Sequence, residues 1–221
     1  MKARMLFLLL AALCITAIPV FAGPTQITLT SVGGASQGGV YVAPYYLSVN
    51  GGTPIEVICD DYTHSVYVGE SWTATLQTFA SLGGTRFGAG AFQQYAEAAW
   101  LFTQFLSNPS KAGDINFAVW DLFSPSAVQK NTSGWTSGAQ NWLTAAQTWF
   151  SQNCTLSTSS CQGINLSAFV FITPTNLTGS NSPQECIEMT TPEPVSIALF
   201  AVGLLFLGLV ARKLSPSQAS S

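Results

Sequence analysis

The hydrophobic period of this chain changes twice, and that limits the folds open to it. From residue 25 to about 80, apolar and polar residues alternate; from 91 to 150, apolar residues recur every three or four positions; after 166, alternation returns. Strands, then helices, then strands is the order of an α+β domain: a β-sandwich or barrel with an inserted helical lobe. The alternation predicts strands over 26–30, 40–49, 55–59, 65–68 and 72–76. Asn50-Gly51 predicts a hairpin turn, and Pro44 an edge or a bulge. In the middle, Phe92, Tyr95, Ala96, Ala99, Phe102 and Leu106 share one helix face, with Gln93, Gln94, Glu97 and Gln104 elsewhere, and Asn108-Pro109 is the stop. Asp114 is the expected cap of a second helix through Asn116 and Trp120 to Ser124-Pro125. A third is predicted over 137–150 with Trp142, Leu143, Ala146, Trp149 and Phe150 inward, followed by strands over 166–172 and 185–189.

Both ends of the chain read as addresses. Lys2 and Arg4 precede an apolar run over 6–18, and Val20-Phe21-Ala22 offers small residues at a cleavage site before Gly23. Residues 1–22 are therefore expected to be a signal peptide. At the other end Pro192-Glu193-Pro194 leads into seventeen uncharged residues, 195–211, and then Arg212-Lys213. As a helix such a run reaches about 25 Å, near the lower limit for crossing a bilayer. The basic pair beyond it follows the positive-inside rule. The expected arrangement is an exported domain over 23–190, one transmembrane helix, and a short basic tail inside.

Within 23–190 the cations are Arg86, Lys111 and Lys130, against nine carboxylates. That balance argues against nucleic acid and anionic lipid as partners, since both need a basic footprint. Once the leader and Cys14 are removed, four cysteines remain: Cys59, Cys154, Cys161 and Cys186. An even number in an exported chain points to disulfides. Cys154 and Cys161 flank a short polar loop and are the expected bridge; Cys59 and Cys186 then pair with each other or stay free.

The densest stretch of reactive residues is Cys59-Asp60-Asp61-Tyr62-Thr63-His64, which holds the only histidine. A nucleophilic Cys59 would need His64 in hydrogen-bond contact and a lowered thiol pKa. Asp60 and Asp61 offer oxygens to Ca²⁺, but without EF-hand spacing. The favoured reading is a strand end running into an acidic turn. The sequence has no His-Glu-x-x-His pair and no phosphate loop, so no catalytic residue, cofactor or metal ligand is assigned and the chain is not expected to be an enzyme. The six tryptophans fall mostly at helical spacing, where core packing is the default role; exposed Trp or Tyr would suit sugar rings.

Two resemblances add to this. Residues 191–221, with Pro192-Glu193-Pro194, the apolar span and Arg212-Lys213 in order, resemble the PEP-CTERM sorting signal of Gram-negative bacteria. The resemblance implies an exosortase-type processing enzyme as partner, cleavage near Pro194, transient membrane contact through 195–211, and delivery to the cell surface or extracellular polysaccharide matrix. Residues 40–125 resemble the thioester domains of bacterial surface adhesins: Val57-Ile58-Cys59-Asp60 matches the cysteine motif, Ala98-Ala99-Trp100-Leu101 the intervening helix, and Ile115-Asn116-Phe117-Ala118-Val119-Trp120 the second motif. Where those domains place Gln, this chain has Asn116, whose side chain is shorter by about 1.5 Å. The resemblance therefore implies a thioester-like scaffold without its bond. The expected protein is a non-enzymatic surface or matrix module, binding or structural, with extracellular polysaccharide or a surface protein as partner. The alternatives are a covalent adhesin that joins Cys59 to Asn116, and a secreted hydrolase built on the Cys59–His64 region with Asp60 or Asp61.

Overall fold

In a computed structural model, which describes residues 23–179 and 181–190, the two sets of strands close into one barrel around a ring of six. The barrel strands are β1 (Thr25–Val32), β4 (Tyr45–Val49), β5 (Ile55–Cys59), β6 (Ser71–Gln77), β9 (Phe169–Pro174) and β10 (Cys186–Met189). They run antiparallel in the order β1-β4-β5-β10-β9-β6, and β6 returns to β1. Two small hairpins lie outside the ring: β2 (Ser36–Gln37) with β3 (Val40–Tyr41), and β7 (Cys154–Thr155) with β8 (Ser160–Cys161). Between β6 and β9 the chain forms the helical lobe: α1 (Phe92–Ser107), α2 (Ala112–Phe123), the single turn α3 (Pro125–Val128) and α4 (Ser137–Asn153). The α+β class and the inserted lobe are as expected, and of the two sheet forms considered the barrel is the one found. The predicted signal peptide, the span 195–211 and the sorting motif lie outside the described residues. Among the described residues no helix is long and apolar enough to cross a membrane.

Period-two alternation explains how the strands serve two cores at once. Val57 and Cys59 of β5, Cys186 of β10 and Ile172 of β9 point into the barrel with Ile27, Leu29, Tyr45, Leu47 and Trp72. Ile58, Ile187, Phe169 and Phe171, the residues between, face outward against Tyr95, Phe102, Ile115 and other side chains of the lobe. Strand β9 is consequently buried at all of its positions. At about 25 cal/mol per Å² of apolar surface, this double burial is the main force holding lobe to barrel.

Several local expectations are corrected. Residues 65–68 are not a strand: Tyr67 and Glu70 close a turn through Glu70 N–H to the Tyr67 carbonyl (2.9 Å), with Gly69 at φ 90° supplying the left-handed step. The strand predicted over 40–49 breaks into β3 and β4 around Pro44. Residues 166–168 form a 3₁₀ turn, so β9 starts at Phe169. Asp114 is not a cap, because α2 starts two residues earlier, continuing from a 3₁₀ turn at Pro109–Lys111; its carboxylate instead accepts from Thr136 Oγ1 (2.5 Å). Leu106 is exposed and Glu97 is buried, the reverse of the helix-face reading. Packing on several sides of α1 takes in Glu97, whose carboxylate accepts from Gln93 Nε2 (2.8 Å). Trp142 and Trp149 are only half-buried and lie beside Trp100, Trp149 stacked on it at 5.8 Å between centroids.

Candidate functional site

The end of the barrel where β5 finishes and β10 begins gathers almost every reactive side chain of the domain. Alternation carries the Cys59 side chain inward, and the chain then leaves the sheet through Asp60 and Asp61, both fully buried. β10 is preceded by Gln184 and Glu185, whose carbonyl accepts from Asp60 N–H (3.3 Å). Asp60-Asp61 and Gln184-Glu185 thus meet across the seam although more than a hundred residues separate them.

Three donors converge on Glu185: Tyr95 Oη at 2.5 Å, Arg86 backbone N–H at 2.8 Å, and the Thr173 hydroxyl. Asp60 is different. Neither of its buried oxygens meets a protein donor, and the Glu185 carboxyl is the group beside it. Burial, then the charges of Glu185, Cys186 and Asp61, hold its pKa well above the carboxylate range, which favours the neutral acid at this buried position. Burial, reinforced by Asp60 and Glu185, likewise pushes the Tyr95 phenol up.

Asp61 has the cation that Asp60 lacks. Arg86 Nε lies 2.9 Å from Asp61 Oδ2, as an ion contact rather than an aligned N–H bond. Thr63 donates to Oδ1 from N–H (3.0 Å) and hydroxyl (2.9 Å), and His64 Nδ1 is 2.7 Å from Oδ2. Arg86 also donates through Nη2 to Ser182 Oγ (2.7 Å) and the Pro183 carbonyl (2.5 Å), while Gln184 Nε2 donates to the Asp61 carbonyl (2.7 Å). Arg86 therefore clasps the 60s turn to the segment entering β10.

Over this buried acid cluster lies an open cavity of about 610 Å³. Its walls are aromatic: Tyr41 and Tyr67 stand exposed at 57% and 72%, Tyr62 is half-buried, and Tyr45 and Trp120 form the inner wall. The turn 67–70 places Tyr67, and the Tyr45 hydroxyl donating to the Tyr41 carbonyl (2.6 Å) fixes the β3–β4 corner. Tyr62 lies 5.1 Å from Trp120 between ring centroids, and its hydroxyl accepts from Asn131 Nδ2 (3.1 Å). His64, Ser36, Ser65 and Gln184 supply the polar edge. Trp120 is 1% exposed and its indole N–H has no protein acceptor.

Cys59 and Asn116 are brought together, but through the backbone. Asn116, fully buried on α2, donates from Nδ2 to the Cys59 carbonyl (3.0 Å) and accepts at Oδ1 from Ala43 N–H (2.8 Å). The Cys59 sulfur points into the barrel, 2.9 Å from the Cys186 sulfur. Burial first, then Cys186, raises the Cys59 thiol pKa, the opposite of an activated nucleophile. His64 is bonded to Asp61 rather than to Cys59. The predicted Cys154–Cys161 disulfide is present, across β7–β8. Among the described residues no group of three or more His, Cys, Asp or Glu is arranged to hold a metal ion. The sorting residues Pro192, Glu193, Pro194, Arg212 and Lys213 lie outside the described residues.

Sequence reasoning found the 59–64 stretch but not Arg86, Tyr95, Thr173 or Glu185, which reach it from other elements. The tyrosines of the cavity carry a weak signal: Tyr41 and Tyr45 fall in the strand predicted over 40–49 after the Gly-rich turn, and Tyr67 in that predicted over 65–68. No family model, curated protein or solved structure matches the chain.

Proposed function

We propose that this chain is an exported, non-enzymatic surface or matrix module that binds neutral extracellular polysaccharide in the aromatic groove at the β5–β10 end of the barrel. The observation that carries the reading is the groove's lining, five aromatic rings with hydroxyl, amide and imidazole groups at the edge and no carboxylate or ammonium. Sugar rings offer apolar C–H faces and polar rims, and a wall of Tyr and Trp answers both. The polar, cation-poor surface and the resemblance of residues 191–221 to a PEP-CTERM signal support delivery to the matrix through an exosortase-type enzyme. The fold of the resembled adhesin domains is proposed as a scaffold only. A Cys59–Asn116 bond would require the sulfur to leave the barrel interior and the Asn116 amide to give up both backbone partners.

Affinity electrophoresis through gels containing dextran, galactomannan or hydroxyethyl cellulose tests the groove. Taking each exposed ring contact at about 1 kcal/mol, Tyr41→Ala and Tyr67→Ala should each weaken retardation about fivefold. Equal retardation of wild type and the double variant, or none by any gel, overturns the reading. A hydrolase is the second reading, favoured by the Asp61–His64 contact at the groove edge (2.7 Å). Release of reducing ends from the same polysaccharides, abolished by His64→Ala, would put it first.

A further inference from the structure

The remaining pair of cysteines has a geometry that the groove reading does not use. Cys59 and Cys186 face each other directly in the β5–β10 ladder, each as the other's register partner. The neighbouring pair, Asp60 with Glu185, carries the ladder hydrogen bond from Asp60 N–H, so Cys59 and Cys186 occupy the adjacent non-hydrogen-bonded position. At such positions the Cα atoms approach most closely and the side chains lean together. Both side chains enter the barrel interior, both residues are buried, and the sulfurs are 2.9 Å apart. That is closer than unbonded sulfurs rest and a short motion from the bond length of about 2.05 Å. The other two cysteines of the domain are already joined to each other.

We infer that Cys59 and Cys186 form a second disulfide, fastening β5 to β10 beneath the groove, and that this bond is the covalent fate of the Cys59 sulfur. The reaction is thiol–disulfide exchange with an external disulfide, the class of oxidant that an exported chain meets. The Cys59 thiolate attacks one sulfur of that oxidant; the oxidant's S–S bond breaks, its other sulfur leaves as a thiolate, and the attacked sulfur stays on Cys59 as a mixed disulfide. The Cys186 thiolate then attacks the Cys59 sulfur, expelling that first-attacked sulfur as the second thiolate. Two protons leave the protein thiols, two electrons pass to the oxidant, and it ends as two thiols. With Cys59 at 0% and Cys186 at 1% exposure, no oxidant reaches them in the closed barrel. The bond therefore forms before β10 locks into place, and afterwards it is shielded from reductants.

The test is a non-reducing peptide map of the full chain exported through an oxidising compartment, after iodoacetamide treatment in denaturant. The expected result is a Cys59 peptide linked to a Cys186 peptide, with neither cysteine alkylated until reductant is added. Native protein treated with dithiothreitol should retain the link, whereas the same treatment in urea should release it. Alkylation of both cysteines in denaturant without reductant overturns the inference. So does a Cys59 peptide joined to that of Asn116 with loss of ammonia, or a link from Cys59 to Cys154 or Cys161. In Cys186→Ser, Cys59 should become alkylatable in denaturant; if that variant fails to fold, the wild-type map still decides.

Discussion

Replacing Asn116 with Ala would remove a side chain that ties the helical lobe to the β3–β4 corner and to the end of β5 through their backbones. The Ala43 N–H and the Cys59 carbonyl both lie at positions with no solvent exposure, and Asn116 is the partner each has there. An orphaned buried group costs about 1–3 kcal/mol, so the two together cost about 2–6 kcal/mol, with about 4 as the central value. Against a total stability of about 5–15 kcal/mol this is a large share. For a domain of this size it corresponds to a fall in Tm of about 8–16 °C. Urea unfolding followed by tryptophan fluorescence reads it as a lower midpoint at unchanged slope. Asn116→Asp keeps the acceptor for Ala43 but sets a carboxylate against the Cys59 carbonyl, and should lose at least as much. Asn116→Gln restores the residue of the resembled adhesins, yet should also destabilise, because one more methylene must fit a closed site. A loss below about 1 kcal/mol in the Ala variant would refute the bridging role assigned to Asn116.

Asp60, Glu97, Asp121 and Glu188 all have pKa values raised by burial. Such groups bind protons more tightly folded than unfolded, so their contribution is complete below the unfolded carboxylate pKa of about 4 and is lost as pH climbs toward the raised folded values. Tm should therefore fall from pH 4 to pH 8, and Asp60→Asn, which faces Glu185, Asp61 and Cys186 with a neutral amide, should flatten that slope; an unchanged slope would count against a raised Asp60 pKa. Trp120→Ala should cost about 3–5 kcal/mol in chemical unfolding, since the ring is buried against Phe117 at 5.1 Å and Tyr62; a cost under about 1 kcal/mol would mean the inner wall of the groove is not packed as described. Cys154→Ser with Cys161→Ser opens a seven-residue separation and should cost about 2.5 kcal/mol by the loop-entropy relation, as measured by differential scanning calorimetry. A larger loss than for Cys59→Ser with Cys186→Ser, which spans 127 residues, would contradict that relation.

Features set by neighbouring residues are legible in the sequence. Asn50 and Gly51 take left-handed φ values of 51° and 74° and turn β4 into β5, as the dipeptide demands. Cys154 and Cys161 are close in sequence and polar between, and they bond. The three main helices follow the 3.6-residue period. Barrel closure could not be read, because β6 pairs with β9 across the whole helical lobe and no local pattern specifies a partner so distant. The site fails to show for the same reason: Glu185 looks like an ordinary strand-end acid until Tyr95, Thr173 and Arg86 converge on it. Glu97 runs against the outward position that its charge implies, because only the crowding of α1 turns it inward.

The register of β10 has a mechanical consequence. Cys186, beside the groove, pairs with Ile172, while Met189 pairs with Phe169, so the described chain leaves the barrel at the end away from the groove. A pull on the chain beyond Thr190, opposed by a ligand held at the groove, would run along the axis of β10. Its hydrogen bonds to β5 and β9 would then be strained in shear, together, instead of being peeled one after another. A four-residue strand shares little shear by itself, but a covalent link between Cys59 and Cys186 sits at the end of β10 nearest the groove and would carry that tension directly into β5.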